Sequence, residues 1–183
     1  LSLDEAFLDV TGSEHFGGSA TRIAADIRRA IASELNLTAS AGVAPNKFLA
    51  KVCSDENKPD GQCVVTPDGV DDFVSTLSLK KIPGVGKVTV KRLAAEGLHT
   101  CADAQAMGEE QLVKRFGRLG RLLHKRCRGI DERPLTTQWV RKSLSVERTF
   151  AEDVAGLPEA EKILSRLFEE LESRLKPHRS RGI

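Results

Sequence analysis

The hydrophobic pattern of the chain changes at Pro67, and this change constrains the fold more than any other feature. Before Pro67, one stretch places apolar residues four apart, which forms a single stripe on a helix: Ile23, Ile27, Ile31 and Leu35. Short β-prone runs lie on both sides of that stretch. After Pro67, short helical stretches are separated by glycines. The chain is therefore predicted to contain an α+β part followed by an all-helical part.

The α+β part is predicted to alternate strands with helices. Strands are expected over residues 3–11, 38–44 and 63–66, and helices over 19–35 and around 48–52. A Lys-Pro-Asp-Gly turn that begins at Lys58 ends the second helix. This β-α-β-α-β order indicates a sheet with helices packed on it.

The last segment returns to a strand-and-helix order. Residues 134–141 are interpreted as a linker, 142–150 as a strand and 158–175 as an amphipathic helix. A lone strand cannot form a sheet, so this segment is expected to be the beginning of a larger domain. The start of the chain resembles the middle of a strand and has no initiator methionine. We therefore interpret the chain as a fragment.

Composition limits the class of protein. With 183 residues, of which 40% are hydrophobic and 30% are charged, the chain is typical of a soluble globular protein. It has no apolar run of about 18 residues and no signal-peptide pattern at its start. Its 4 cysteines lack C-x-x-C spacing, which predicts reduced, mostly buried thiols rather than a disulfide framework or a zinc site. A cytoplasmic protein without a membrane partner is expected.

The charge is unevenly divided along the chain. The overall net charge is +2, but residues 1–77 carry −6, residues 78–142 carry +9 and residues 143–183 carry −1. A basic middle between acidic flanks suggests contact with a polyanion. Charge alone leaves a solvated basic surface equally open.

Two adjacent carboxylates, Asp4 and Glu5, lie within the predicted strand over residues 3–11. Neighbouring carboxylates repel each other and lose solvation when half buried, unless a cation compensates them. Magnesium is the natural cation, because it takes oxygen ligands and keeps positions for waters and phosphates. Successive strand residues point to opposite faces, so a shared metal site requires a turn or a bulge. A solvent-facing sheet edge is the alternative.

A turn containing Gly84 and Gly86 precedes a predicted helix in the basic middle of the chain. The two glycines allow the backbone to approach a ligand closely, and the helix N-terminus suits a phosphate. Lys87 and Lys91 add positive charge for a nucleic-acid backbone. This pattern is typical of a helix-hairpin-helix, with a simple tight turn as the alternative. Residues 115–121 repeat the pattern more loosely, with three arginines.

Together these segments resemble the Y-family translesion DNA polymerases. The matching stretches follow the family's order over nearly the whole chain: residues 1–9, 40–51, 57–61, 82–86, 115–117, 128–134, 141–143 and 146–149. The resemblance implies an α+β fold in three pieces. These are a partial palm sheet with packed helices over residues 1–66, an all-helical thumb with a helix-hairpin-helix over 67–133, and, after the linker over 134–141, one strand and one helix of an incomplete little finger over 142–183.

The resemblance also implies roles for individual residues. Asp4 and Glu5 resemble the palm carboxylates that are catalytic and hold two Mg²⁺ ions. Lys58 resembles the palm lysine that contacts the incoming deoxynucleoside triphosphate. The other implied contacts are with primer-template DNA, through Gly84, Gly86, Lys87, Val88 and Lys91 in the thumb and through Arg141, Lys142 and Ser143 near the start of the little finger.

The implied reaction is nucleotidyl transfer, in which a primer 3′-hydroxyl attacks the α-phosphate and releases pyrophosphate. Family members copy damaged templates with low fidelity, which implies a role in DNA repair and damage tolerance. A sliding clamp is an implied partner through regions outside this sequence, and a monomer near the bacterial nucleoid is expected. The family's further palm aspartate and its fingers are not in this sequence. These 183 residues alone are therefore expected to be inactive.

Two other classes of function are open at this point. A non-catalytic helix-hairpin-helix protein of the same lineage would use the hairpin only to grip DNA. The Asp4–Glu5 pair speaks against it, because a pure binding module has no use for carboxylates that face a polyanion. A helix-hairpin-helix nuclease or glycosylase would need a Lys-Asp arrangement after the hairpin, and none is recognised there.

Overall fold

The structure is a computed structural model that describes residues 4–137 and 143–178. It divides the chain into two compact units, residues 1–135 and 136–183. Within the described part of the chain, no helix is both long enough and apolar enough to cross a membrane.

The first unit contains the predicted long helix, α1, over Ala20–Leu35. The hydroxyl oxygen of Ser19 accepts a hydrogen bond from the backbone N–H of Arg22, which satisfies one of the free donors at the helix start. Asn36 ends the helix in the left-handed conformation, with φ of 54°, and asparagine tolerates that conformation better than most residues. The apolar stripe of α1 is only half buried.

A two-stranded parallel sheet follows α1. It consists of β1 (Ala41–Val43) and β2 (Gln62–Val64), which are joined by helix α2 (Lys47–Glu56). Gly42 of β1 lies directly against α2, because a Cβ added there would be 2.0 Å from the carbonyl oxygen of Ala50. The absence of a side chain at Gly42 therefore allows β1 to pack on the backbone of α2.

Five short helices follow Pro67, as the glycine-punctuated pattern predicts. They are α3 (Val70–Ser75), α4 (Lys87–Ala95), α5 (Cys101–Met107), α6 (Glu109–Phe116) and α7 (Arg118–Arg126), with 3-10 turns at Pro67–Gly69 and Leu79–Lys81. These helices share one core with α2. The fully buried side chains of that core include Phe48, Leu49, Val74, Leu93, Cys101, Leu112 and Leu123. Each large apolar side chain buried there stabilises the fold by about 1.5–3 kcal/mol.

A buried carboxylate that contacts two arginines lies beyond α7, near the end of the first unit. The side chain of Asp131 is 1% exposed and lies 2.9 Å from Arg126 and 2.8 Å from Arg133. Arg126 also lies over the ring of Phe48, 5.1 Å from its centroid, and so contacts α2. Burial alone would raise the pKa of the Asp131 carboxyl. The hydrogen bonds from Arg133 and Arg126 outweigh that effect and hold the pKa well below its usual range.

The 4 cysteines are free, as predicted, and Cys53, Cys101 and Cys127 are buried. Burial, together with the nearby Cys63, raises the pKa of the Cys53 thiol. A hydrogen bond with Cys101 and burial raise the pKa of the Cys127 thiol. These two thiols are therefore protonated at neutral pH and contribute to the core as small apolar groups.

The second unit contains helix α8 over Leu157–Leu175, followed by a 3-10 turn at Lys176–His178. Pro158 lies in the first turn of α8, where a missing backbone N–H costs no helical hydrogen bond. Glu170 of α8 accepts hydrogen bonds from Arg148 and Arg174, both at 2.5 Å. The contact from Arg148 joins the segment before α8 to the helix, whereas the contact from Arg174 lies within α8.

Two predicted strands are wrong as local structure. Residues 4–11 and 143–150, which make up most of the expected strands over 3–11 and 142–150, run without strand pairing in the described structure. Both sequences have the β pattern, but a strand forms only when a second strand accepts its ladder of hydrogen bonds. The predicted division between residues 66 and 67 stays a prediction, as does the linker over 134–141.

Candidate active site and nucleic-acid interface

The predicted carboxylates and the predicted triphosphate lysine line one cleft. Asp4, Glu5 and Lys58 border a cavity of about 640 Å³ between the start of the chain, α1, β1 and the turn before β2. The apolar stripe of α1 forms another wall of this cavity through Ile23 and Ile27. The cleft therefore has a charged side and an apolar side.

Four charged groups form a continuous network of ion pairs at the charged side of the cleft. An Oε1 atom of Glu5 lies 2.6 Å from the ammonium of Lys51, a residue 46 positions away in sequence. The same ammonium is 3.3 Å from Asp55, and the other oxygen of Asp55 is 2.6 Å from the ammonium of Lys58. Glu5 and Lys58 are thus connected through two side chains of α2.

The pKa values of Lys51 and Asp55, at the centre of this network, favour the charged forms of both groups. The hydrogen bond to Glu5 raises the pKa of Lys51 despite an opposing effect of burial, and Asp55 adds to the increase. Burial would raise the pKa of the Asp55 carboxyl, but the hydrogen bonds from Lys58 and Lys51 outweigh it and lower the pKa. Lys51 and Asp55 are therefore both ionised at neutral pH.

The turn that carries Lys58 is held from α1. Arg28 donates one hydrogen bond of 2.8 Å to the carbonyl oxygen of Ala39, and others of 2.6 and 2.8 Å to the carbonyl and carboxylate oxygens of Asp60. Gly61 completes the turn at a position where a Cβ would be 1.7 Å from the carbonyl oxygen of Asn57. The backbone on which Lys58 stands is consequently fixed on both sides.

The carboxylates suit a divalent cation of the magnesium type. Asp4 lies in a turn rather than in a pleated strand, and both it and Glu5 line the cleft, so the alternation of strand side chains does not separate them. Their oxygens are the hard donors that Mg²⁺ prefers. Within residues 4–137 and 143–178, no group of three His, Cys, Asp or Glu residues could hold a metal ion. The remaining ligands of such an ion would have to come from outside the described residues.

The predicted hairpin is formed and exposed. Gly84 adopts φ of +92°, which disfavours any other residue, and a Cβ at Gly84 or Gly86 would meet nothing within 4 Å. Helix α4 begins after Gly86 with no side-chain cap, so no capping side chain occupies the backbone N–H groups of its first turn. Buried Ile82 anchors the turn, whereas Val88 is 83% exposed at its tip.

Two cations extend from the exposed hairpin. Lys87 and Lys91 are four residues apart on α4, and both are exposed. Neither forms a salt bridge with any residue that the structure describes. Uncapped backbone N–H groups next to these two cations suit the phosphate backbone of a nucleic acid. Contacts of this kind do not depend on the identity of the bases.

Three models of one polymerase family match consecutive parts of the chain. The model described as "impB/mucB/samB family" matches residues 1–55, and the one described as "impB/mucB/samB family C-terminal domain" matches 141–183. Between them, the model "DNA polymerase-iota, thumb domain" matches residues 80–131. The chain belongs to the impB/mucB/samB family, the Y-family polymerases. The resemblance found in the sequence is thereby confirmed.

Similar proteins and similar solved structures agree with the assignment of this chain to the Y-family. The chain is 59% identical over 176 residues to DNA polymerase IV of Pectobacterium atrosepticum and 59% identical over 175 residues to DNA polymerase IV of Escherichia coli. In both comparisons the match covers 96% of this chain and 50% of the relative. The chain thus spans about half the length of these curated relatives. A solved structure titled "Insertion ternary complex of Dbh DNA polymerase" matches with a TM-score of 0.58 and 32% identity, covering 63% of this chain and 34% of that one. DinB from Sulfolobus solfataricus matches with a TM-score of 0.58 and 33% identity, covering 62% and 34%.

The remaining predicted site residues are only partly described. Ser143 is exposed in the second unit of this Y-family chain. Arg141 and Lys142 lie outside the described residues. The roles predicted for these three residues, and for the carboxylates, Lys58 and the hairpin, stay predictions.

Three residues in or beside the cleft were given no role by the sequence patterns. Lys51 and Asp55 join Glu5 to Lys58, and Arg28 holds the turn. One signal was present in the sequence, because Lys51 and Asp55 have the i, i+4 spacing of an ion pair on one helix face. No signal in the sequence pairs Arg28 with the turn, since that contact spans 32 residues.

Proposed function

We propose that the protein to which this chain belongs is a DNA-directed DNA polymerase that carries out low-fidelity translesion synthesis. The observation that carries the proposal is the meeting of Asp4, Glu5 and Lys58 at one cleft, linked through Lys51 and Asp55. Relatives that carry the name DNA polymerase IV, and a neighbour solved as an insertion ternary complex, support this assignment.

Each residue of the cleft has a chemical task in this proposal. Asp4 and Glu5 hold Mg²⁺ through their carboxylate oxygens. When bound, two such ions would activate the primer 3′-hydroxyl and neutralise the charge that develops on the leaving pyrophosphate. Lys58 binds the triphosphate of the incoming nucleotide through its ammonium. The half-buried position of Glu5 keeps its carboxylate partly out of water, which strengthens its interaction with a cation.

The hairpin holds the primer strand in this proposal. The backbone N–H groups at Gly86, Lys87 and Val88 bind a phosphate, and Lys87 and Lys91 add charge. Arg141, Lys142 and Ser143 are proposed as further backbone contacts. A clamp contact, a monomeric state and a location at the nucleoid stay predictions.

A primer-extension assay with the full-length protein tests the polymerase proposal. With a primed template, four deoxynucleoside triphosphates and Mg²⁺, we expect products that lengthen in the order dictated by the template. Chelation of Mg²⁺ should abolish the products, because without the cations nothing offsets the repulsion between the two carboxylates and the triphosphate.

Two other outcomes would change the assignment. Tight DNA binding without extension by the intact full-length protein would favour the non-catalytic alternative. Extension by the 183-residue polypeptide alone would contradict the expectation that the site needs a further carboxylate, since the described residues supply no third ligand.

Replacing Lys87 and Lys91 together by Ala tests the hairpin. We expect DNA binding to weaken by a similar factor on every sequence, and the salt dependence to become shallower by roughly one unit for each lysine lost. Filter binding or fluorescence anisotropy at several salt concentrations measures both quantities. Arg29→Ala is the control, because that side chain is 72% exposed on α1 and remote in sequence from the hairpin. A loss confined to some DNA sequences would contradict binding through the backbone.

A further inference from the structure

One carboxylate beside the cleft, that of Asp55, has no role in the proposed function. Asp55 contacts both cleft lysines, with Lys58 at 2.6 Å on one oxygen and Lys51 at 3.3 Å on the other. We propose that Asp55 is a positioning residue that aims Lys58 at the triphosphate and thereby sets the affinity for the incoming nucleotide. This inference rests on the proposed polymerase function.

Lys58 needs such a partner because it stands beyond the end of α2. The helix ends at Glu56, and Asn57 already leaves the helical conformation with ψ of 31°. The side chain of Lys58 is 53% exposed, and Asp55 is the one described residue with which it forms a salt bridge. A lysine side chain with four rotatable bonds samples many directions when nothing holds its end. The hydrogen bond to Asp55 therefore selects the direction in which the ammonium points.

Asp55 is itself held in place. It lies in the last turn of α2, and its second oxygen is held by Lys51, which is also bonded to Glu5 at 2.6 Å. The carboxylate thus connects the nucleotide-binding lysine to the acidic pair. Exposed ion pairs at i, i+3 and i, i+4 spacing contribute little to helix stability. Loss of the Asp55 charge is therefore expected to alter the direction of Lys58 more than the stability of the fold.

Electrostatics alone predicts the opposite sign for this substitution. Asp55 is a negative group in contact with Lys51 and Lys58, two residues that line a cleft proposed to take a polyanionic triphosphate. If its charge merely repelled that ligand, Asp55→Asn would tighten nucleotide binding. If Asp55 positions Lys58, the same substitution weakens nucleotide binding, because the amide holds the ammonium less well than the carboxylate does. The direction of the change separates the two roles.

The test uses single-turnover nucleotide incorporation by the full-length protein over a range of triphosphate concentrations. Asp55→Asn is expected to raise the apparent Kd for the nucleotide roughly three- to tenfold, with a smaller change in the maximal rate and none in DNA affinity. In a Lys58→Met background, Asp55→Asn should add almost nothing, because the residue that it positions has gone. Asp26→Asn is the matched control, since Asp26 forms an i, i+3 pair on α1 with Arg29, a cation that does not line the cleft.

Tighter or unchanged nucleotide binding in Asp55→Asn would overturn the inference, as would an equal effect of Asp55→Asn in the wild-type and Lys58→Met backgrounds. A general loss of structure would give equal effects of Asp55→Asn in the two backgrounds. The double-mutant cycle therefore separates positioning from loss of structure, even if Asp55→Asn lowers the midpoint of thermal unfolding. A wild-type protein that incorporates no nucleotide would instead overturn the proposed function and, with it, this inference. Normal incorporation by both wild type and Asp55→Asn would overturn the role of Asp55 alone.

Discussion

Asp4→Ala in the full-length protein is expected to reduce nucleotide incorporation by roughly 10³-fold while DNA affinity stays nearly unchanged. Asp4 lies in the turn at the start of the cleft, and its carboxylate is proposed to hold the catalytic metal ions. Without that ligand, the charge that develops on the phosphates in the transition state is not compensated. The proposed DNA contacts lie elsewhere, at the hairpin before α4, so binding and chemistry should separate.

Single-turnover incorporation and a DNA-binding titration on the same preparations measure this separation. Asp9→Ala is the control, because Asp9 belongs to the same segment but is exposed, does not line the cleft, and accepts a local hydrogen bond from the backbone N–H of Thr11 at 2.9 Å. Near-normal incorporation by Asp4→Ala would mean that the acidic pair only faces solvent. A parallel loss of DNA binding would mean that the substitution disrupts the fold.

The second large effect concerns stability. Asp131→Ala is expected to lower the free energy of unfolding by about 3–5 kcal/mol, because it leaves a buried charge without its partner. Arg126, 10% exposed, pairs with Asp131 and also packs on Phe48 of α2. The neighbouring residue is the control: Glu132 is 75% exposed and pairs with Lys125, so Glu132→Ala should change stability by less than about 0.5 kcal/mol.

The same pair makes stability depend on pH. Burial opposes the charged form of Asp131, but Arg133 and Arg126 together hold the pKa of its carboxyl below the value in the unfolded chain. A group with a depressed pKa stabilises the fold above its unfolded pKa, about 3.9 for aspartate, and the contribution is lost as the pH falls toward the folded value. Urea denaturation at neutral pH and at about pH 3.5 should therefore show a smaller acid-induced loss in Asp131→Ala than in wild type. Equal losses in the two proteins would contradict this role of Asp131.

Local features of the sequence determined the helices. The four-residue spacing of apolar side chains predicted α1 over residues 19–35, one residue longer than the observed Ala20–Leu35. The hairpin was predictable for the same reason, because the backbone conformation at Gly84 depends on a few neighbouring residues. The adjacent carboxylates and Lys58 were visible as residue types, and the family resemblance assigned them a common site.

Only the tertiary structure decided what those residues contact. The sequence pattern predicted strands over residues 3–11 and 142–150, but pairing depends on a second strand and not on the pattern itself. It did not predict the core that α2 shares with the helices after Pro67, nor the contact of Glu5 with Lys51 that begins the charged network leading to Lys58. Those contacts join residues that are tens of positions apart. Spacing along the chain determines which face of a helix a side chain occupies, whereas packing determines what lies opposite that face.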